Sequence, residues 1–299
     1  MKKSLISIQA PAKLNLRLKV TGKRPDGYHE LVSVMVPVDL FDRLELRITG
    51  SSGNSLSSTG YEVPVDETNL VLRAVKAFQQ RTGIDEGVAL RLEKHIPVSA
   101  GLGGGSSDAA AVLLALSEAY GNPLSRAELQ SSAVRLGADV PFFLDCRPSL
   151  ARGIGEILEP LPMWSGHWYV IVTPPLQVST AWVYSQYRSN ELTRDEFYYI
   201  KNQLSRDFLA IAHILENDLE TVTSARFPTI ETIKRHLLKA GAAGVLMSGS
   251  GPSVFGVFET RQGAMDARQH LSSLGIGDVF AVTEWRSQGP RSKVQGPEV

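Results

Sequence analysis

The chain has 299 residues, 43% of them hydrophobic and 21% charged, enough to bury a substantial core in one large or two medium domains. Its 31 basic and 31 acidic residues cancel to a formal charge of +0, which excludes the electrostatic footprint of a nucleic-acid binder or of a protein drawn to anionic membranes. One cysteine, Cys146, excludes an intrachain disulfide framework, suits a reducing compartment and is expected to pack as a small hydrophobe.

The opening stretch MKKSLISIQAPAK carries two lysines, but its apolar run is too short for a signal segment and is broken at Pro11. No uncharged apolar run approaches the ~20 residues that span a bilayer, so a soluble cytoplasmic protein is expected. Leu14, Leu16, Leu18 and Val20 alternate, as do Val32, Val34, Val36 and Val38, and then Leu44, Leu46 and Ile48, the period of half-buried strands. SSGNSLSSTG at 51–60 is polar, contains glycine and lacks periodicity, and reads as a surface loop. From Thr68 the spacing becomes helical, with Leu70, Ala74 and Phe78 on one face and Gly83 placed to end the helix. Val88, Leu90 and Leu92 predict a strand that leads through Lys94, His95 and Pro97 into a glycine-rich loop and a helix. SRAE at 125–128 is a capping-box pattern, and its helix is expected to stop near Gly137.

Beyond about residue 150 the order reads strand (Trp168 to Thr173), helices, strand (Val245 to Ser248), strand (Val254 to Phe258), helix, strand (Asp278 to Val282). Without a regular βα alternation this favours an α+β fold over a doubly wound parallel one. The domains are set at 1–150 and 151–285, followed by a polar Gly- and Pro-rich tail at 286–299 that is expected to fray.

The loop is the most informative segment. Backbone N–H groups converge on a phosphate only where residues tolerate positive φ and carry no obstructing side chain, which Gly101, Gly103, Gly104 and Gly105 supply. Ser106, Ser107 and Asp108 then open a helix whose positive dipole end faces the same anion. Either serine is placed to cap the helix, contact phosphate or ligand magnesium. Four glycines in five positions cost on the order of 0.5–1 kcal/mol each in conformational entropy, a loss that a ligand explains and an ordinary turn does not. The Walker pattern fails for want of a lysine after Gly105, and the dinucleotide pattern fails at Ser106.

PVSAGLGGGSSDAA at 97–110 resembles the phosphate-binding motif of the GHMP kinases. APAKLNLRLKVTGKRPDGYHEL near the N-terminus is similar to that family's first motif, and MSGSGPSVFGVF at 247–258 to its third. KLNLRL, RPDGYHEL and LGADVPFFL together are similar to its diphosphocytidyl-methylerythritol kinase branch. The resemblance implies two α+β domains, ribosomal-protein-like and ferredoxin-like, with an active site between them. It implies ATP and Mg2+ as cofactors, CDP-methylerythritol as the small-molecule partner, and transfer of a phosphoryl group to a tertiary hydroxyl in non-mevalonate isoprenoid biosynthesis.

By the same resemblance Lys13 and Asp139 are catalytic. Phosphoryl transfer has a loose transition state, so Asp139 is expected to orient the hydroxyl and accept its proton late. Lys13 would polarise the hydroxyl, hold Asp139 or stabilise transferring charge; the residue pattern leaves all three open. Asp139 also stands where a residue two before Pro141 caps a helix. The resemblance places Asn69, Lys94, Pro97, Val98, Ser99, Ala100, Leu102 and the loop glycines and serines at ATP, Asn69 having helix capping as its alternative. It places Asn15, Tyr28, His29, Tyr184, Gly249, Ser250 and Gly251 at the acceptor, with His29 on the cytosine edge, Tyr28 against the ring or the ribose and Tyr184 stacked on cytosine from the other side. Trp182 rivals Tyr184. No magnesium ligand is assigned; Glu93 and Glu118 flank the loop segment without a convincing placement. The competing readings are another GHMP kinase acting on mevalonate or homoserine, a nucleotide-binding regulator, and a nucleic-acid module. No oligomeric state is assigned.

Overall fold

The structure, a computed structural model, describes residues 5–162, 166–188, 208–286 and 293–295. In chain order its strands and helices begin with β1 (Leu5–Lys23), β2 (His29–Ile48), β3 (Ser55–Gly60), α1 (Leu70–Thr82) and β4 (Val88–Lys94). Then come α2 (Gly104–Ala119), α3 (Arg126–Leu136), α4 (Val140–Asp145), β5 (Ser149–Arg152), β6 (Ile157–Pro160) and β7 (Trp168–Thr173). The remainder is α5 (Thr180–Gln186), α6 (Phe208–Ile214), β8 (Glu216–Asn217), α7 (Glu220–Arg226), α8 (Thr229–Lys239), β9 (Gly244–Met247), β10 (Val254–Phe258), α9 (Arg261–Ser273), β11 (Asp278–Thr283) and β12 (Lys293–Gln295).

An eight-stranded sheet is built on the long antiparallel hairpin of β1 and β2, in the order β12-β1-β2-β4-β3, with β5, β6 and β8 beside it. A second, four-stranded antiparallel sheet has the order β11-β7-β10-β9. The even-numbered residues of β1 run past three cores in turn. Ile6, Ile8 and Ala10 pack under α1 to α4, Ala12, Leu14 and Leu16 meet Tyr169, Ile171 and Phe255 of the second sheet, and Leu18 and Val20 join the core beneath α8 and α9. Leu14 and Leu16 are fully buried between the two sheets, each contributing about 1.5–3 kcal/mol of burial.

Local signals fix the helix ends. Asn69 accepts the Val71 N–H at 2.9 Å to start α1, and Gly83, at φ +73°, closes it. Ser125 and Glu128 form the expected capping box of α3. Cys146 is half-buried as the left-handed residue after α4, and burial, with Asp145 adding, pushes its thiol up to about 12.

Two expectations are corrected. Within the expected loop at 51–60, Ser55–Gly60 is a strand pairing in parallel with β4 from Ser55↔Ala89 to Gly60↔Lys94. It lies at the sheet edge with only Leu56 buried, so its sequence is polar and lacks a half-buried alternation. Within the expected tail, Lys293–Gln295 pairs with Leu5–Ser7 as another edge strand, held by backbone bonds that leave little trace in composition. The rest of the tail from 287, and 189–207 within the stretch expected to be helical, lie outside the described residues.

Candidate active site

The phosphate loop, the first motif and the third motif are tied together through their backbones. Lys13 N–H donates to Leu102 O at 2.9 Å. The Ser248 hydroxyl donates to Gly101 O at 3.0 Å and accepts the Asn15 N–H at 3.3 Å. The glycines serve different ends. Gly101 and Gly103 take left-handed φ of +77° and +71°, and a Cβ at Gly101 would lie 2.1 Å from Ser248 O. Gly104 and Gly105 are already helical; at Gly104 a Cβ would crowd Lys94 Nζ at 2.8 Å.

These elements border a cleft of ≈ 1190 Å³, larger than the few hundred to about 1,000 Å³ usual for one small ligand. The residues named from the sequence line it, except Leu102, Ser107 and Gly251. Leu102 is buried in the core between the sheets. Ser107 points inward, its buried hydroxyl without a hydrogen-bond partner. Gly251 faces Met247 and Thr223 rather than the cleft.

Strand alternation brings Lys13 and Asn15 to one side of β1. The Lys13 ammonium is buried, donates to Asn15 Oδ1 and stands 3.5 Å from Asp139 Oδ2. Asn15 in turn donates to Ser33 Oγ at 2.8 Å, and Ser33 to Arg17 O at 2.6 Å, so the lysine's orientation is fixed from behind. Asp139 precedes α4 but its side chain makes no capping bond, so it is directed at Lys13 instead of serving the helix.

Asn69 serves the helix start through both ends of its amide. Besides its cap, its amide donates to Pro64 O at 2.6 Å, leaving one N–H and a lone pair toward the cleft. Lys94 is committed too. Its buried ammonium is clamped by Asp42 and, at 2.7 Å, by Asp108. Asp42 also accepts the N–H groups of His95 at 2.6 Å and Ile96 at 2.8 Å. Burial opposes the charge on Lys94, but Asp108 and Asp42 outweigh it and raise its pKa. Burial pushes Asp108 up, to about 7, with Lys94 opposing and Asp42 adding. Its Oδ1 is buried without a partner.

At the other end of the cleft, the turn Arg24–Tyr28 closes through Arg24 N–H to Tyr28 O at 2.7 Å and leaves Tyr28 60% exposed. His29 stacks on Tyr184, ring centroids 5.2 Å apart at 26°. Burial, then the nearby Lys23 charge, lower the pKa of His29. Burial, then Asp139, raise that of the Tyr184 phenol. Two residues along a helix turn about 200°, so Trp182 faces Phe227 in an edge contact while Tyr184 lines the cleft.

Among the described residues no group of three or more His, Cys, Asp or Glu could hold a metal by itself, and no helix is long and apolar enough to cross a membrane. Neither Glu93 nor Glu118 lines the cleft; Glu118 is exposed in the last turn of α2, away from the loop. Sequence reasoning missed Asp42, Ser248 and Asn217. The Asn217 amide braces the third motif by donating to Met247 O and Gly249 O, both at 2.8 Å.

Residues 69–146 match the GHMP kinases N terminal domain and residues 199–277 the GHMP kinases C terminal domain, together more than half the chain. The fold is that of the GHMP kinases, to which the chain belongs; ATP and Mg2+ use goes generally with that fold. The chain is 45% identical to the 4-diphosphocytidyl-2-C-methyl-D-erythritol kinase of Syntrophotalea carbinolica, over 92% of this chain and 98% of that one. It is 43% identical to the enzyme of the same name from Geobacter metallireducens, over 93% and 98%. A crystal structure of 4-(cytidine 5'-diphospho)-2C-methyl-D-erythritol kinase superposes with a TM-score of 0.76 at 39% identity, covering 92% of this chain and 98% of that one. Homoserine kinase from Cytophaga hutchinsonii, 22% identical with a TM-score of 0.74 and 98% coverage of both chains, shares the fold. Within the GHMP kinases the chain stands in the 4-diphosphocytidyl-2-C-methyl-D-erythritol kinase family.

Proposed function

We propose that the protein transfers the γ-phosphoryl group of ATP to the 2-hydroxyl of 4-diphosphocytidyl-2-C-methyl-D-erythritol, giving the 2-phosphate and ADP, in the cytoplasm. The observation that carries the chemical reading is the Lys13–Asp139 pair at 3.5 Å, its lysine on a strand bonded directly to the glycine loop and its aspartate just before α4. ATP phosphates lie against the N–H groups of Gly103 to Ser106 at the start of α2, a 16-residue helix. Asp139, partly open to solvent, accepts the hydroxyl proton, and Lys13, held by Asn15, stabilises the charge on the transferring group.

Magnesium bound mainly through phosphate oxygens needs only one or two protein ligands, and the unpartnered Oδ1 of Asp108 with the Ser106 hydroxyl fits that demand. Bound there, the ion would neutralise charge on the β and γ phosphates. Lys94 supports the loop from below, since both of its carboxylate partners are buried with it. Cytosine lies on Tyr184. Because His29 occupies that face in the structure, the imidazole moves to the base's edge when the nucleotide enters. Its lowered pKa keeps it neutral near pH 7, with one nitrogen donating and the other accepting.

The test is incubation with ATP, magnesium and the cytidylyl acceptor, following ADP release and the phosphorus NMR of the product, with mevalonate and homoserine in parallel. A new phosphomonoester with the cytidylyl acceptor alone is the expected result. Equal turnover of mevalonate or homoserine would overturn the specificity, and ATP binding without turnover of any acceptor would make the protein a regulator.

A further inference from the structure

Two polyanions must share one cleft in the reading above, the triphosphate of ATP and the diphosphate of the acceptor. Among the described residues, the lysines that line it are Lys13, Lys23 and Lys94. Lys94 is neutralised by Asp42 and Asp108, and Lys13 is engaged by Asn15 and Asp139. Arg24, next to Lys23 in the chain, is turned back onto Asp26 at 2.8 Å. Lys23 alone makes no hydrogen bond or ion pair with any described side chain, and no arginine lines the cleft.

An exposed lysine is by default a solvated surface group. Lys23 differs in its position. It pairs across the hairpin with His29, in the register Lys23↔His29, and its charge is close enough to disfavour protonation of that imidazole. A diphosphate joined through ribose to a base held at His29 and Tyr184 comes within reach of a lysine side chain on the neighbouring strand.

We infer that Lys23 binds the diphosphate of the cytidylyl acceptor and so selects a diphosphate-bearing cytidine over the bare nucleoside. The inference rests on the reading of His29 and Tyr184 as the base site. Lys23 contacts a part of the substrate remote from the transferred phosphoryl group, so its effect belongs to acceptor affinity and not to ATP.

The experiment is calorimetric titration of CDP and of cytidine into the protein saturated with a non-hydrolysable ATP analogue, for the wild type, Lys23→Ala and Lys23→Arg. Lys23→Ala is expected to weaken CDP about fivefold or more while leaving cytidine within about twofold, and Lys23→Arg is expected to restore CDP. Raising the salt concentration should narrow the CDP difference between wild type and Lys23→Ala, because the lost contact is a screened charge. Equal weakening of CDP and cytidine in Lys23→Ala would place the effect on the hairpin and overturn the inference, as would no weakening of CDP. Failure of the wild type to bind CDP would overturn the base-site reading itself, so the two failures are told apart by which protein shows them.

Discussion

Replacing Gly101 by alanine tests whether the phosphate loop is set by its contact with the third motif. At φ +77° an alanine carries about 1–2 kcal/mol of left-handed strain. Its Cβ would also lie 2.1 Å from Ser248 O, roughly 1 Å short of a tolerable contact, and that oxygen already accepts the Gly251 N–H at 3.0 Å. Overpacking of this kind adds about 1–3 kcal/mol, so Gly101→Ala should destabilise by about 2–5 kcal/mol. At roughly 2–4 °C per kcal/mol, Tm falls by about 4–20 °C in differential scanning calorimetry. Relief by moving the loop about 1 Å would displace the bound phosphates and lower kcat/KM by about 100-fold. Gly105→Ala is the control for stability: it sits in the first turn of α2, and its Cβ would meet only Leu70 Cδ1, at 3.6 Å. It should unfold at or slightly above the wild-type temperature. A Gly101→Ala protein with wild-type Tm and turnover, or a Gly105→Ala protein equally destabilised, would refute the reasoning.

Asp139→Asn should lower kcat by about 100-fold or more while ATP affinity stays within about twofold by equilibrium binding, because shape is kept and the proton acceptor is lost. Asp42→Ala strips the buried Lys94 of one carboxylate and leaves the His95 and Ile96 N–H groups unpaired; urea titration should show a loss of about 3–5 kcal/mol. In NMR pH titrations His29 should titrate below the ordinary 6.5, and Lys23→Ala should move it up toward that value, since removing a neighbouring cation favours protonation. A His29 pKa that is unmoved in the variant would mean that the lysine's charge is not felt at the imidazole.

What was legible in the sequence is what neighbours in the chain decide. The capping box at Ser125 and the left-handed Gly83 are short-range chemistry, and they stand where the pattern put them, whereas α2 opens at Gly104, two residues before the expected Ser106, with Gly103 and not a serine at its cap position. The Lys94 clamp was not legible: Asp42 and Asp108 lie 52 and 14 residues away, and nothing in the segment around Lys94 announces either partner. Strand β3 escaped because an edge strand need bury almost nothing. The choice between Tyr184 and Trp182 needed only the phase of one helical turn, which a short helix without a clear apolar stripe does not display. Asp139 showed both a capping position and a family role; its side chain makes no capping bond and stands 3.5 Å from the Lys13 ammonium.

The Ser248 hydroxyl, bridging Asn15 and Gly101, has a mechanical consequence. With the bond from Lys13 N–H to Leu102 O, it rivets the floor of the cleft at three points drawn from opposite ends of the chain. A swing of the two sheets about this floor would have to break these bonds. Adjustment to an incoming nucleotide falls to the rim, where the exposed turn of Tyr28 and the short helix of Tyr184 face each other.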